Sequence, residues 1–196
     1  MGAVCTFTQI QIRRTQMLYT YNDCLHEYGG DYQLKKALAE QKLYKIEKGI
    51  YSSEKYASDL AVVSLKYPNA VFTDESAYYY HDLTDVIPEM YFLATRRTDS
   101  RIRDKRVIQS FVSNEVFDHG IIQMTYNDDT IKIYSRERML IELMRFRSRY
   151  PRDYYKEILL NYRRIIYDLD FWKVEEYAAL FAHGDNIMKI IETEVL

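Results

Sequence analysis

Two adjacent stretches of this sequence carry side chains suited to nucleic acid. Helical spacing over Tyr32 to Gln41 sets Leu34, Ala37 and Leu38 on one side. Tyr32, Lys36 and Ala39 fall near the opposite face, with Gln33 and Lys35 at its margins. The amide of Gln33 holds both a donor and an acceptor, the pair that reads an adenine edge. Lys35 and Lys36 suit phosphate or guanine, and Tyr32 can stack on a sugar or touch a thymine methyl. Lys45 and Lys48 follow on a short hairpin pattern, placed for phosphate or minor-groove contact. Glu40 runs against this face: it either accepts from cytosine or pairs with Lys36 four residues earlier. The competing reading is an amphipathic helix and a hairpin with solvated lysines. Arg13 and Arg14, in an earlier helical segment, either touch phosphates or are solvated.

A denser basic cluster comes later, with Arg96, Arg97, Arg101, Arg103, Lys105 and Arg106 opposed by Asp99 and Asp104. It can bind nucleic acid or serve another partner. A second stripe runs through Arg136, Arg138, Arg145, Arg147, Arg149, Arg152, Lys156, Arg163 and Arg164. Guanidinium forks match paired oxygens, but Glu142, Asp153 and Glu157 are at hand to neutralise several of them. Enzyme patterns are lacking. His26, His81, His119 and His183 are scattered without metal-ligand spacing, and there is no Cys-x-x-Cys pair. No glycine-rich phosphate loop occurs. A nuclease needs acids clustered with a lysine on a core strand, and Met90 to Ala94 offers none. We therefore expect no catalytic residues, no metal and no cofactor. Three or more acids converging in a cleft of the second domain would favour the alternative, a nucleic-acid-processing enzyme or accessory subunit.

The elements that must position these residues are legible from caps and periodicity. Thr8 to Leu18 can form a first helix. Thr20 offers an N-cap with Asp23 at the third helical position, and Gly29-Gly30 ends the helix that follows. Asp31 can cap the helix Tyr32 to Gln41. Leu43 to Ile46 and Ile50-Tyr51 are strands about the turn Glu47-Lys48-Gly49. Three helices and a hairpin within about fifty residues is the winged helix-turn-helix layout. After a boundary at Ser52 to Glu54, a helix is expected over Glu54 to Lys66, then a strand at Ala70 to Phe72 and a helix from a Thr73 cap to His81. Strands follow at Met90 to Ala94, Val107 to Val112, Gly120 to Tyr126 and Thr130 to Tyr134, the last two about Asn127-Asp128-Asp129. Ser135 caps the next helix, Pro151 starts another, and Asp170 and Asp185 cap the last two. Most of the twenty tyrosines are expected to be half-buried, ring inside and hydroxyl out.

Several of these segments share a pattern. The run Leu43-Tyr44-Lys45-Ile46-Glu47-Lys48-Gly49-Ile50-Tyr51 resembles the Leu-x-Arg/Lys-x-x-x-Gly-x-Tyr wing of the AbiEi antitoxins. Phe72 to Leu83, with Ser76-Ala77 and Leu83, is similar to that family's Ser-Ala-x-x-x-x-x-Leu segment. Ile131 to Leu143 resembles its strand leading into a Glu-Arg-Thr-hydrophobic helix start. Met139 stands where the family usually has Thr, Glu142 where it has Asp, and Lys45 where many members have Arg. The resemblance spans residues 8–165. It implies an antitoxin of a type IV, abortive-infection toxin–antitoxin system used in phage defence. Its winged helix would repress its operon by binding inverted repeats in promoter DNA. Its functional partner would be an AbiEii-like nucleotidyltransferase toxin, opposed without a stable complex, and the basic cluster of Arg96, Arg97, Arg101, Arg103 and Arg106 would either bind nucleic acid or serve that antitoxin activity.

Composition sets the outer bounds. Hydrophobic residues at 47% and charged residues at 29% exclude a disordered tail or a fibrous rod. No apolar run approaches a membrane span of about 18 residues, so no membrane partner is expected. Met1 to Ile10 has neither the basic start nor the apolar core of a secretory signal. Two cysteines are too few for a disulfide scaffold, which predicts a reducing cytoplasm. The net charge of −2 conceals segmentation: residues 1–53 carry +2, 54–95 carry −5, 96–164 carry +6 and 165–196 carry −5. Together these readings predict an α+β chain. A winged helix-turn-helix DNA-binding domain would occupy 1–53, and a larger C-terminal α/β antitoxin domain, ending in several helices, 54–196.

Overall fold

Thr20 and Asp23 cap each other across the first turn of a helix. The backbone N–H of Asp23 donates to Oγ1 of Thr20 at 3.2 Å, and the N–H of Thr20 donates to Oδ2 of Asp23 at 2.8 Å. This capping box starts α1 (Tyr21–Tyr28). Gly29, at φ 76°, supplies the left-handed residue that ends it, and the N–H of Gly30 donates to the Leu25 carbonyl at 3.0 Å. These contacts belong to a computed structural model that describes residues 18–196. The chain divides into two compact units between Lys66 and Tyr67.

The first unit continues with α2 (Asp31–Ala39), and β2 (Tyr44–Glu47) turns through Lys48-Gly49 into β3 (Ile50–Ser52). Asp31 lies inside α2 rather than capping it. The cap position is Gly30, at φ 124°, and the Asp31 carboxylate turns to Lys35 and the Tyr21 hydroxyl. The helix ends two residues before Gln41, which takes φ 56°. The hairpin is antiparallel, with Lys45 opposite Tyr51 and a bulge between Lys45 and Glu47. A third strand, β1 (Leu18–Thr20), pairs with the other edge of β3, so the sheet order is β1-β3-β2. Residues 8–17 of the expected first helix lie outside the described residues, as do Cys5, Arg13 and Arg14, while Leu18 belongs to β1. Cys24, Leu34, Ala37, Leu43 and Tyr51 form the core, flanked by Tyr19, Leu25, Tyr28 and Leu38.

The unit extends beyond the boundary expected near residue 53. Its last helix, α3 (Asp59–Lys66), begins five residues after Glu54 because the Ser58 hydroxyl accepts from the Ala61 N–H at 3.0 Å. Lys66 pairs with Glu47 on β2 at 2.9 Å, and α3 packs on β1. These contacts place residues 54–66 with the first unit rather than the second.

The second unit is built on five strands. β4 (Val71–Phe72) lies at the centre, with β5 (Tyr91–Arg96) and β6 (Val107–Val112) on one side and β8 (Asp129–Tyr134) and β7 (Ile121–Tyr126) on the other. β4 pairs antiparallel with β5 and parallel with β8, matching Phe72 to Leu93 and to Ile133. Asn127 and Asp128, at φ 47° and 71°, make the β7–β8 turn. Helices α4 (Asp74–Tyr80), α5 (Asn114–Phe117), α6 (Arg136–Phe146), α7 (Arg152–Arg164), α8 (Phe171–Ala179) and α9 (Gly184–Glu194) complete the unit. Asp170 precedes α8 as expected. Asp185 falls inside α9, whose cap position is His183. The chain is thus α+β, with two separate sheets and helices among the described residues. No described helix is long and apolar enough to cross a membrane.

The middle of the second unit is α6, started by the Ser135 hydroxyl, which accepts from the Arg138 N–H at 3.3 Å. Every residue from Arg138 to Met144 is buried, and α4, α8 and α9 pack against it. Arg138 is 0% exposed. Its Nε and Nη2 donate to Oε1 of Glu142 at 3.1 and 2.8 Å, and its Nη1 donates to the carbonyls of Val116 at 2.9 Å and His119 at 3.4 Å. Its guanidinium also lies over the rings of Tyr134 and Phe181. Gly120, at φ 83°, passes so close that a Cβ there would sit 2.6 Å from Cβ of Arg138. Many tyrosines are half-buried as expected, but three depart in the same way as Arg138. Tyr78, Tyr134 and Tyr162 are wholly buried, and their hydroxyls donate inward to the carbonyls of Met139, Phe117 and Arg136.

An ion pair of this kind is costly to break from one side, because the remaining charge stays out of water. Glu142→Leu should therefore cost about 3–5 kcal/mol in urea unfolding, and adding Arg138→Met should recover much of that loss. A single-variant loss below about 1 kcal/mol would contradict the burial of the pair.

Candidate functional site

In the first unit, α2 buries Leu34 and Ala37 and turns Tyr32, Gln33, Lys35 and Lys36 outward. Tyr32 is 77% exposed, and among the described residues Gln33 makes no hydrogen bond. Lys35 pairs with Asp31 at 2.6 Å, which raises the lysine pKa and lowers that of the carboxyl. Lys36 stands 3.9 Å from Glu40, and Lys42 pairs with the same carboxylate at 2.7 Å. Glu40, ambiguous by spacing, is thus occupied by lysines. Pairs this exposed contribute little and are screened by salt, so a phosphate can displace them. Lys45 is exposed on β2 and Lys48 in the hairpin turn, and neither has an ion pair among the described residues. The six residues reside on two elements locked to one core, through Leu34 and Ala37 on α2 and through Tyr51 on β3.

The Arg96 to Arg106 cluster in the second unit does not form one cationic face. Arg96 donates to Asp118 at 2.6 Å and lies over the Phe117 ring, while Arg106 pairs with Asp104 at 2.8 Å. Arg97, Arg101 and Arg103 remain exposed without an ion pair among the described residues. Their loop is held in place by Gln109, whose amide nitrogen donates to Thr95 Oγ1 at 2.7 Å and to the Ser100 carbonyl at 3.2 Å. The Gln109 amide oxygen accepts from the Ile102 N–H at 2.7 Å. The later arginine stripe is dispersed as well. Arg138 is internal, Arg145 donates to Glu142, and Arg147 and Arg163 reach Glu194.

Neither that stripe nor any local motif announced a cleft of about 550 Å³ in the second unit, lined by Asp74, Glu115 and Glu142 together with Arg145 and Arg149. Each acid holds a protein donor: Asp74 accepts from the Tyr150 hydroxyl at 2.7 Å, Glu115 from Ser113 at 3.0 Å, and Glu142 from Arg138 and Arg145. Among the described residues no three His, Cys, Asp or Glu side chains are grouped to hold a metal ion. Asp74 is the most perturbed of the three. Its φ of 49° is left-handed, a conformation that costs most residues about 1–2 kcal/mol. Burial raises its carboxyl pKa, while the Tyr150 bond opposes that rise. Only the acid's place in the first turn of α4 was visible in the sequence. The chain fold that carries β6 and α6 to it was not.

No protein-family model and no curated protein matches the chain. Among solved structures, the crystal structure of the RV2827C protein from Mycobacterium tuberculosis is similar over 88% of this chain and 71% of that one. The TM-score is 0.53 and the identity 11%. At that identity the similarity is one of fold.

The raised pKa of Asp74 carries a stability consequence with a definite sign. A carboxyl whose folded pKa exceeds its unfolded value stabilises the fold while protonated and loses that contribution as pH rises through the folded value. Asp74→Asn keeps an acceptor for Tyr150 and does not titrate. Relative to the native protein, the variant should gain stability between acid pH, below the ordinary aspartate range, and neutrality. Urea midpoints across that interval measure it, and a difference independent of pH would contradict the assignment.

Proposed function

We propose that this chain is an AbiEi-type antitoxin of a type IV toxin–antitoxin system, and that it represses its own operon through a winged helix-turn-helix in the first unit. In this reading α2 is the recognition helix and the β2–β3 hairpin is the wing. The observation that carries it is the division of α2. Leu34 and Ala37 are fixed in the core, while Tyr32 and Gln33 are presented outward without internal partners. The motif residues behind the resemblance support it further. Leu43 to Tyr51 is the hairpin segment, Ser76, Ala77 and Leu83 are buried around α4, and Ile131 to Leu143 is the passage from β8 into α6.

The reading makes the first unit a phosphate-and-base reader of inverted repeats. Neutralisation of an AbiEii-like nucleotidyltransferase toxin is assigned to the second unit, without a stable complex, in the cytoplasm, and with no cofactor or metal. Within the loop after β5, Arg97, Arg101 and Arg103 are exposed cations open to a partner. The rival reading, nucleic-acid processing, would draw on Asp74, Glu115 and Glu142, all three already engaged by protein donors.

Binding to the native promoter duplex should weaken steeply with salt, because each lysine on a phosphate displaces counterions. Lys48→Ala should weaken operator and random DNA alike and lower the logarithmic salt slope by about 1. Gln33→Ala should cost about 1–3 kcal/mol on the operator and little on random DNA. Gel shifts in a salt series measure all three, and equal losses for both variants on both DNAs would remove Gln33 from base reading.

Neutralisation should respond to a different set of residues. With the toxin expressed from a separate promoter, the full chain carrying Arg101→Glu and Arg103→Glu should rescue growth less well than the native chain while still shifting promoter DNA. Unchanged rescue would exclude this loop from the antitoxin surface.

A further inference from the structure

The lining of the cleft in the second unit includes guanidinium groups and apolar rings. Arg145 donates through Nη1 to Oε2 of Glu142 at 2.6 Å, which leaves its Nε and Nη2 without a protein acceptor among the described residues. Arg149 has no hydrogen bond or ion pair among the described residues. Its guanidinium lies 3.9 Å from the centre of the Phe146 ring, and that of Arg145 lies 3.7 Å from the Phe181 ring. Stacking holds each planar fork in place while its N–H edge stays open. Glu142 is shared between Arg138 and Arg145, so Arg149 is the cation of the lining that no acid pairs among the described residues, beside the lining acids Asp74 and Glu115. The rest of the lining includes Phe111, 49% exposed on β6, and Leu180, and the Ser110 hydroxyl is free of a protein partner among the described residues.

We propose that this cleft binds a small ligand with a planar ring and an oxyanion, of the nucleoside monophosphate class. The phosphate is taken by Arg149 and the open edge of Arg145, since two planar forks satisfy a tetrahedral oxyanion with paired N–H bonds. The ring lies against Phe111, where apolar area and stacking reward a flat heterocycle. Asp74, held at the cleft by its left-handed backbone and by Tyr150, accepts an N–H or O–H from the ligand. A cavity of about 550 Å³ is of the size that encloses such a molecule. A left-handed residue and a half-buried acid at a concave site are features that recur at binding sites. The site lies wholly in the second unit, so it stands or falls separately from promoter binding by the first.

The test uses the full chain in calorimetric titrations with inorganic phosphate, the four common ribonucleosides and their 5′-monophosphates. At least one monophosphate should bind more tightly than both its nucleoside and phosphate alone. Arg149→Ala should weaken that monophosphate by roughly tenfold to a hundredfold, the range for a charge-assisted hydrogen bond, with Arg149→Lys losing less. Phe111→Ala should reduce it towards the affinity of phosphate alone. Both side chains are exposed, and unchanged circular dichroism and melting temperature would show that the variants fold. The proposal is overturned if no monophosphate binds at millimolar concentration, if phosphate alone binds as tightly, or if affinity is the same in the native chain and both variants.

Discussion

The guanidinium of Arg138 is cut off from water, and the elements of the second unit that meet α6 are arranged around that fact. A charge so placed is tolerable only where its donors are met. Glu142 one turn along α6 takes two N–H groups, and Val116 in α5 and His119 just after it supply two carbonyls. Tyr134 at the end of β8 and Phe181 after α8 close over the faces of the plane. Sheet, helix and the α8–α9 connection therefore share one point. Gly120 is required there because the backbone runs too near Arg138 for a side chain. Well-packed apolar residues could stabilise such a centre equally. The ion pair instead fixes which strand end, which loop and which helix come together.

The same pair links the fold to the cleft. Glu142 meets Arg138 on its inner side through Oε1 and Arg145 on its outer side through Oε2. A chain of alternating charge, Arg138–Glu142–Arg145, thus runs from the centre of the unit to the cleft lining, where Arg149 adds a second cation over Phe146. The aromatic rings beneath these cations are part of the arrangement, since a guanidinium stacked on a ring loses fewer conformers when a ligand docks. Burying Asp74 beside Tyr150 places an acid opposite the cations, so the cleft carries both signs of charge on fixed supports.

Much of this was legible in the sequence where a local rule governs. The Thr20–Asp23 capping box, the Gly29 terminator, the Lys48-Gly49 turn and the Asn127-Asp128 turn each depend on residues within a few positions, and each stands as read. The departures occur where distant parts decide. Three-residue β1 is too short for periodicity and exists because β3 has an open edge. Asp31 would cap α2 but for Lys35, and α3 joins the first unit through its contact with Glu47 and β1. Arg138 belongs by spacing to a surface stripe and by structure to the core. The tyrosine hydroxyls turn inward because carbonyls at Met139, Phe117 and Arg136 are there to receive them. Neither fact can be seen in neighbouring residues.

Function follows the same division between the units. On the first, the side chains proposed to read bases and contact phosphates stand on a helix and a hairpin that share one small core, so their positions are set together. On the second, part of the positive charge counted in residues 96–164 is taken up by ion pairs at Arg96, Arg106, Arg138 and Arg145, and most of the remaining cations face solvent. The central claim is that α2 and the hairpin carry the promoter contact. Amide hydrogen exchange of the full chain with and without its own promoter duplex tests it most directly. The account predicts slowed exchange over residues 31–39 and 44–52, with residues 97–106 unchanged. Slowed exchange at 97–106, with α2 and the hairpin unaffected, would contradict it.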